Sequence, residues 1–531
     1  MDQLSGLDAM FIHAEMHGLP MHISSLSIYD PSTSVNPLEF RQIVDLFEKK
    51  VQRNVPILRS KLVKVPFNLD QPYWMEDPNF DLVYHVRHIA LPKPGTWQKL
   101  CALAANLHAQ PLNRDRPLWE AYIIDGLDHI EDIPKGSFAI FLKVHHAILD
   151  GRTGMEIYKN LHTLSPEPYC ELETDHPAHE QGQAIEHQSD ITMATVLARA
   201  AGHGVGKTTS IVKLLGKSFS VYGQLALAFR NKELKQLHKP RTRFNGVISP
   251  RRVVDRIRLP MVDIKAIKSM FAHETVNDVA LTIISGALRR YLIAKDELPE
   301  DSLVAAIPID VRDSNDEHIK GNRISITNMS LRTDIADPME RLRAVHQEAV
   351  AGKAYADTLG KNIVCDVLDN IYPALVSWGV KAAVESGWLD KFPPANNTVI
   401  TNVHGASVPL YLCGARLIDS FGMGPLIPNT GLFHTISSTY DFLTIAFTAD
   451  RMKMADPDFY VQCLEESFVE IIDAIKTEQE IRLAAASLLP EDQVPVKKAR
   501  RRSGSNRIKP SSTPAEKNVT VVRSNETPVI Q

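Results

Sequence analysis

Two adjacent histidines, His145 and His146, followed by Asp150 and Gly151, are the residues of this sequence whose types and spacing could do chemistry. A neutral imidazole can take a proton near pH 7, so a histidine here could act as a general base. The residues before the pair read as a strand. By period two, Phe138, Ile140, Leu142, Val144 and His146 share one face, and Ser137, Ala139, Phe141, Lys143 and His145 share the other. The first set is more uniformly apolar and is the expected buried face. Adjacent strand residues point opposite ways, so the two histidines cannot serve one reaction centre or one metal without a sharp bend. If one of them is a buried base, parity selects His146. Asp150 and Gly151 then end the strand, and Gly151 permits a turn that a Cβ would hinder. A helix is expected next, through Met155, Ile157, Tyr158 and Leu161. The same spacing also suits a core histidine beside a surface one, with an aspartate that caps a helix.

The elements around this stretch follow from periodicity. Leu4 to Phe11 reads as a short helix, Met21–Tyr29 as a strand, and Pro37–Val51 and Trp97–His108 as helices. A strand over Pro117–Ile124 precedes the histidine strand. Residues 164–190 are rich in Pro, Glu, His and Gln and read as a linker, and 191–237 as helical, apolar and basic. After Pro240 come strands over Arg252–Leu259, Val304–Arg312, Thr398–Asn402, Leu410–Ser420, Leu432–Ser438 and Phe442–Asp450. Helices are expected over Val276–Lys295, Pro338–Ala351 and Pro457–Thr477, with further segments within 361–388. This divides the chain into an α/β half over 1–163, a linker and helical segment over 164–240, a second α/β half over 241–490, and a tail over 491–531.

Composition bounds the class. A chain of 531 residues is too long for one core, and 44% hydrophobic with 23% charged residues fits a soluble globular protein. The net charge of −4 implies no particular partner. Five scattered cysteines without a Cys-x-x-Cys pair argue for reduced thiols in the cytosol and against a zinc ribbon, so no metal is expected. The first residues, Met1-Asp2-Gln3-Leu4, show neither a basic nor an apolar leader pattern, and there is no run of about 18 apolar residues, so membrane contact is expected to be peripheral. In the tail, Lys497 to Lys509 brings seven basic residues into 13 positions with no acid, a disordered segment that could touch anionic lipid or simply be solvated.

His-His-x-x-x-Asp-Gly is the signature of the acyl-CoA-dependent acyltransferase superfamily, which resembles chloramphenicol acetyltransferase in fold. Further blocks make the chain resemble the bacterial wax ester synthase/acyl-CoA:diacylglycerol acyltransferase family. These are Leu4-Ser5-Gly6-Leu7-Asp8 with Pro20-Met21-His22, Pro117-Leu118-Trp119-Glu120, Val276-Asn277-Asp278-Val279 with Gly286 to Leu292, Pro308 to Arg312 with Gly321-Asn322, and Asn402-Val403-x-Gly405 with Pro409-Leu410-Tyr411 and Gly414-Ala415. The similarity runs in order over about 1–480. The chain departs from the family at His404 and Ala406, where proline is common, and at Tyr440-Asp441, where a glycine-containing tight turn is usual.

The resemblance implies two chloramphenicol-acetyltransferase-like α/β halves. It implies transfer of a fatty acyl group from acyl-CoA, a substrate and not a cofactor, to diacylglycerol or a long-chain alcohol. A thioester is already activated, so neither a metal nor a covalent intermediate is needed. His146 is the expected base. His145 is a packing or orienting residue within the catalytic motif, and Asp150 is expected to pair with an arginine and stiffen the turn. Asn277 and Asn402 are candidates to stabilise the oxyanion, Asn277 being equally a candidate helix cap. Asp278 is expected to bond backbone or basic partners, and Pro117, Leu118 and Trp119 to be structural. The site is expected in a tunnel between the halves.

Competing readings are a condensation-type acyltransferase with another acceptor and a catalytically silent coat protein of lipid bodies. The intact motif argues against the second, and no carrier-domain neighbour supports the first. Ala201 to Thr208 mimics a phosphate-binding loop but lacks a preceding strand. Residues 208–235 form an apolar stripe on a helical wheel, Ile211, Leu215, Phe219, Tyr222, Leu225 and Phe229, backed by lysines. Such a stripe suits either a membrane surface or packing against the two domains. The expected location is therefore cytoplasmic, with peripheral contact to the inner membrane or to lipid inclusions. No nucleic acid is expected, and the residues say nothing of an oligomer.

Overall fold

The computed structural model describes residues 2–167, 238–310, 324–359 and 393–487 with positions 382 and 386, leaving out 17, 36, 52, 53, 69, 150 and 404. Most of the expected linker, the phosphate-loop look-alike and the apolar stripe lie outside the described residues, as do the tail from 488 and the basic run within it.

In chain order the strands are β1 (Asp2–Gln3), β2 (His22–Asp30), β3 (Ser60–Val63), β4 (Tyr73–Glu76), β5 (Val86–Ala90), β6 (Trp119–Asp125), β7 (Phe138–His145), β8 (Arg252–Pro260), β9 (Val304–Asp310), β10 (Ile324–Ser330), β11 (Thr398–Val403), β12 (Tyr411–Leu412), β13 (Ala415–Met423), β14 (Leu432–Ser438) and β15 (Phe442–Asp450). The described α-helices are α1 (Gly6–Ala14), α2 (Phe40–Leu46), α3 (Trp97–Ala109), α4 (Gly151–Leu161), α5 (Met261–Ser269), α6 (Val276–Ala294), α7 (Pro338–Leu359) and α8 (Pro457–Ser487).

Two six-stranded sheets dominate, in the orders β12-β13-β2-β7-β6-β5 and β10-β9-β11-β14-β15-β8, with a small sheet β1-β4-β3 beside them. The mixed α/β character and the two sheet-rich halves follow the expectation. The halves are not separate along the chain, however. Strands β12 and β13, from the second half of the sequence, complete the first sheet by pairing β13 antiparallel to β2. The edge of β2 away from β7 carries backbone groups that need partners, and β13 supplies them. Its residues alternate in and out, burying Leu417, Phe421 and Met423. The strand was legible in the sequence, but not the sheet it joins.

Strand β7 lies inside the first sheet, between β2 and β6. Phe138, Ile140 and Val144 meet a core shared with α1, α2 and α4, while Ala139 and Phe141 meet a second core shared with α3 and with Val254 and Ala446 of the other sheet. Both faces are therefore buried, and the expectation of one buried face fails. Lys143 misled that reading. It is fully buried, donates to the carbonyls of Leu107 and Gln110 at the end of α3, and pairs with Glu120 at 3.0 Å. A cation at a helix C-terminus, with a carboxylate partner, can stay charged out of water.

Polar ties also join the two sheets. Trp97 of α3 donates to Asp255 of β8 at 2.7 Å, Arg256 lies over the Trp97 ring, and the same guanidinium meets the buried Asp419 of β13 at 2.7 Å. The turn between β14 and β15 carries Tyr440-Asp441 without any residue at positive φ. It therefore needs no glycine, and Asp441 instead pairs with Arg416 at 2.7 Å.

Several histidines are buried or half-buried among these elements. Burial lowers the pKa of His108 and His434 to about 3 and of His162 to about 4. Such groups take up protons more readily when unfolded, so stability is full above about pH 6.5 and falls as pH drops from there toward the folded values. Urea denaturation at about pH 7.5, 6 and 5 should show a midpoint that declines below pH 6.5. A midpoint unchanged down to pH 5 would contradict this.

Candidate active site

The N-terminal segment builds the surroundings of both histidines. Ser5 caps α1, accepting from the Asp8 N–H at 3.1 Å while its hydroxyl donates to the Asp8 carboxylate at 2.7 Å. The Ser-x-x-Asp spacing is thus a helix start signal. From α1, Phe11 stacks on the His146 ring with centroids 3.9 Å apart, nearly parallel. One residue past the helix, Glu15 accepts from His145 Nε2 at 3.1 Å and from the Met21 N–H at 3.1 Å. Arg114 clasps the other oxygen of Glu15 through Nε at 3.2 Å and Nη2 at 2.9 Å, and also donates to the Ile12 carbonyl. The Met21 carbonyl accepts from the His146 N–H at 3.0 Å. The whole segment is tied to the second sheet by Arg252, which donates to the Gly18 carbonyl at 2.6 Å.

The Pro117-Leu118-Trp119 block supports the histidines from the other side. The Leu118 carbonyl accepts from the His145 N–H at 2.9 Å. Trp119 is fully buried, donates to the Leu58 carbonyl at 2.7 Å, and stacks on His85 and Phe47.

The two histidines differ in their commitments. Strand β7 ends at His145, and His146 lies in the turn that follows, so strand parity does not reach it. It is His145 that is almost fully buried, while His146 is half-buried. His145 Nδ1 accepts from the Ala147 N–H at 3.1 Å, which places its proton on Nε2, pointed at Glu15. Both of its ring nitrogens are occupied. Burial holds the His146 pKa down to about 4. Its imidazole is neutral across the physiological range. Burial alone would raise the Glu15 carboxyl. The hydrogen bond from His145 and the Arg114 charge outweigh it and bring the pKa to about 2.

Asp150 lies outside the described residues, and Gly151 opens α4. On the second half, Asn402 of β11 donates to the Asn277 carboxamide oxygen of α6 at 3.0 Å, so the structure joins these two candidates. The cap of α6 is Thr275, not Asn277, in a capping box with Asp278. Asp278 is buried and accepts from the Thr275 N–H and hydroxyl and from His346. A cavity of about 550 Å³ lined by Phe40, Ile43, His88, Asp125 and Phe138 lies at the opposite end of β7 from His145 and is not the expected passage between halves. Sequence reasoning missed Glu15, Arg114, Phe11 and His346. The first three flank the Leu4–Asp8 and Pro117–Trp119 blocks, and that adjacency was the available signal.

The wax ester synthase/diacylglycerol acyltransferase catalytic domain matches residues 4–280, and the C-terminal domain of the same family matches 320–472. A relative from Mycobacterium tuberculosis (strain CDC 1551 / Oshkosh), named provisionally as a diacylglycerol O-acyltransferase, is 31% identical over 445 residues, 82% of this chain and 84% of its own. Another from strain ATCC 25618 / H37Rv, named as a probable diacylglycerol O-acyltransferase, is 28% identical over 479 residues, 90% of this chain and 100% of its own. Among solved structures, a wax ester synthase/diacylglycerol acyltransferase from Marinobacter aquaeolei VT8 aligns with a TM-score of 0.60 at 23% identity, covering 89% of this chain and 99% of that one. A trichothecene 15-O-acetyltransferase from Fusarium sporotrichioides aligns at 0.54 and 12% identity, covering 88% and 94%. These two likenesses show the fold. The match to this catalytic domain makes the chain an acyltransferase. The chain belongs to the wax ester synthase/diacylglycerol acyltransferase family.

The Glu15 clamp generates a test. Glu15→Ala leaves His145 Nε2 and Arg114 without their carboxylate, and should lower stability by about 1–3 kcal/mol and turnover by roughly tenfold or more through the displaced turn. Glu15→Gln keeps an acceptor for His145 and should retain more of both. Thermal melting and steady-state turnover of the two variants check this, and an Ala variant equal to wild type in both would show that the clamp positions nothing.

Proposed function

We propose that the protein transfers a fatty acyl group from acyl-CoA to the hydroxyl of diacylglycerol or a long-chain alcohol, giving triacylglycerol or wax ester, with His146 as general base. The observation that carries the base assignment is the contrast between the histidines. His145 has both ring nitrogens engaged, whereas the His146 imidazole is held neutral in a half-buried turn.

In this mechanism the neutral His146 imidazole takes the hydroxyl proton as the acceptor oxygen attacks the thioester carbonyl. The tetrahedral intermediate collapses, the carbon–sulfur bond breaks, and the imidazolium returns the proton to the leaving CoA thiolate. Atoms and charge balance without a metal or an acyl-enzyme. Asn277 and Asn402 are the proposed oxyanion donors. Their mutual hydrogen bond uses one carboxamide N–H of Asn402 and leaves both on Asn277. Donors of this kind lower such barriers by roughly 3 kcal/mol each. Asp150 and Gly151 shape the turn, and the two apolar substrates approach His146 from opposite sides between the halves.

Peripheral association with the cytoplasmic membrane face or with lipid inclusions would bring the chain to these substrates. Among the described residues no helix is long and apolar enough to cross a membrane.

Purified protein with palmitoyl-CoA and either hexadecanol or a diacylglycerol, scored for ester and free CoA, tests the activity and the acceptor together. His146→Ala should lose about 10²–10⁴-fold in kcat while melting as wild type does. If His146→Ala turns over normally and His145→Ala does not, the base assignment fails. In wild type the acid limb of kcat/KM should lie near pH 4, because the base is competent only above its own pKa. An acid limb at 6.5 would point to a base in a less buried setting.

A further inference from the structure

The first turn of α6 presents two adjacent polar residues to two different neighbours. Asn277 reaches Asn402 on β11 at 3.0 Å, and Asp278 reaches His346 Nδ1 on α7 at 2.9 Å. Neighbouring helix positions differ by about 100° around the axis, so the two contacts pull on the helix start from different sides. The Asp278 side chain is 4% exposed, and its partners are the Thr275 N–H at 2.8 Å, the Thr275 hydroxyl at 3.0 Å and His346. The Thr275 contacts are local to the same turn and cannot fix its rotation. Among these partners only His346 comes from another element. α7 is in turn anchored by the buried Arg341, which pairs with Glu470 of α8 at 3.0 Å.

We propose that His346 is a positioning residue for the acyl-transfer reaction: by holding the Asp278 carboxylate it fixes the rotation of the α6 N-terminus and so the direction of the Asn277 carboxamide. The inference rests on the reading of Asn277 as an oxyanion donor. A donor must sit within about 0.5 Å and 10–20° of its productive geometry to be effective, and a helix start freed from α7 would exceed that.

The test is a set of three variants, His346→Leu, His346→Asn and Asn277→Ala, with the double variant His346→Leu/Asn277→Ala, assayed with palmitoyl-CoA and the preferred acceptor and followed by melting. His346→Asn keeps a side-chain N–H at a similar reach. The expected result is that His346→Leu lowers kcat about tenfold with the palmitoyl-CoA KM within about twofold. His346→Asn recovers most of the loss, and His346→Leu adds little in the Asn277→Ala background. If His346→Leu is poorly folded, His346→Asn against Asn277→Ala decides the matter, since a folded His346→Asn should exceed Asn277→Ala in kcat. If Asn277→Ala is impaired but His346→Leu is not, or if the two losses multiply in full, the positioning role of His346 is wrong. If Asn277→Ala keeps wild-type kcat, the oxyanion reading beneath it is wrong instead.

Discussion

The hydrogen bond from His145 Nε2 to Glu15 is the contact on which the rest of the site depends. It sets the tautomer of His145, and that tautomer lets Nδ1 receive the Ala147 N–H and close the turn after β7. The turn then places His146 against Phe11 and under the Met21 carbonyl. A carboxylate this buried is costly unless it is fully paired. Arg114, the Met21 N–H and His145 share that task, so one pairing problem is solved by three segments of chain. The arrangement gives the two histidines opposite characters. One is consumed in structure, and the other is desolvated and neutral at the mouth of the turn.

The second constraint is that this turn cannot be built by the first half alone. Arg252 holds the Gly18 carbonyl, β13 closes the edge of β2, and Arg256 meets Asp419 between the sheets. These charged groups at the contact between sheets meet partners from the other part of the chain. The sheet that leads into the histidine turn and the asparagine pair of the second half are in this way parts of one construction. The family's short motifs read the same way in physical terms. Ser5 and Asp8 start the helix that carries Phe11, Leu118 holds the backbone of His145, and Thr275 with Asp278 starts the helix that carries Asn277.

Local chemistry was legible in the sequence because it is local. Alternation over 138–145, 432–438 and 442–450 marked strands, and the long apolar periodicity of 276–294 marked a helix. The short helix Met261–Ser269 and the strand Ile324–Ser330 escaped, since neither has a clear amphipathic pattern over enough residues. The histidine motif falls at the turn after β7, but the parity argument for choosing between its members did not hold. It assumed a strand through His146 and one solvated face, whereas the strand stops a residue earlier and Lys143 is buried by an ion pair and two helix-end carbonyls.

The sequence by itself determined the chemical repertoire: an imidazole pair ahead of a glycine turn and two carboxamides in the second half. Tertiary structure alone decided which partner each group meets. Glu15 and His145 are 130 positions apart, and Asn277 and Asn402 are 125 apart. Periodicity and capping are set by neighbours within a turn or a pleat and can be read along the chain. The tautomer of a buried imidazole, the charge of a buried carboxylate and the aim of a carboxamide are set by whichever distant group fills the remaining hydrogen-bond direction, and no local pattern encodes that.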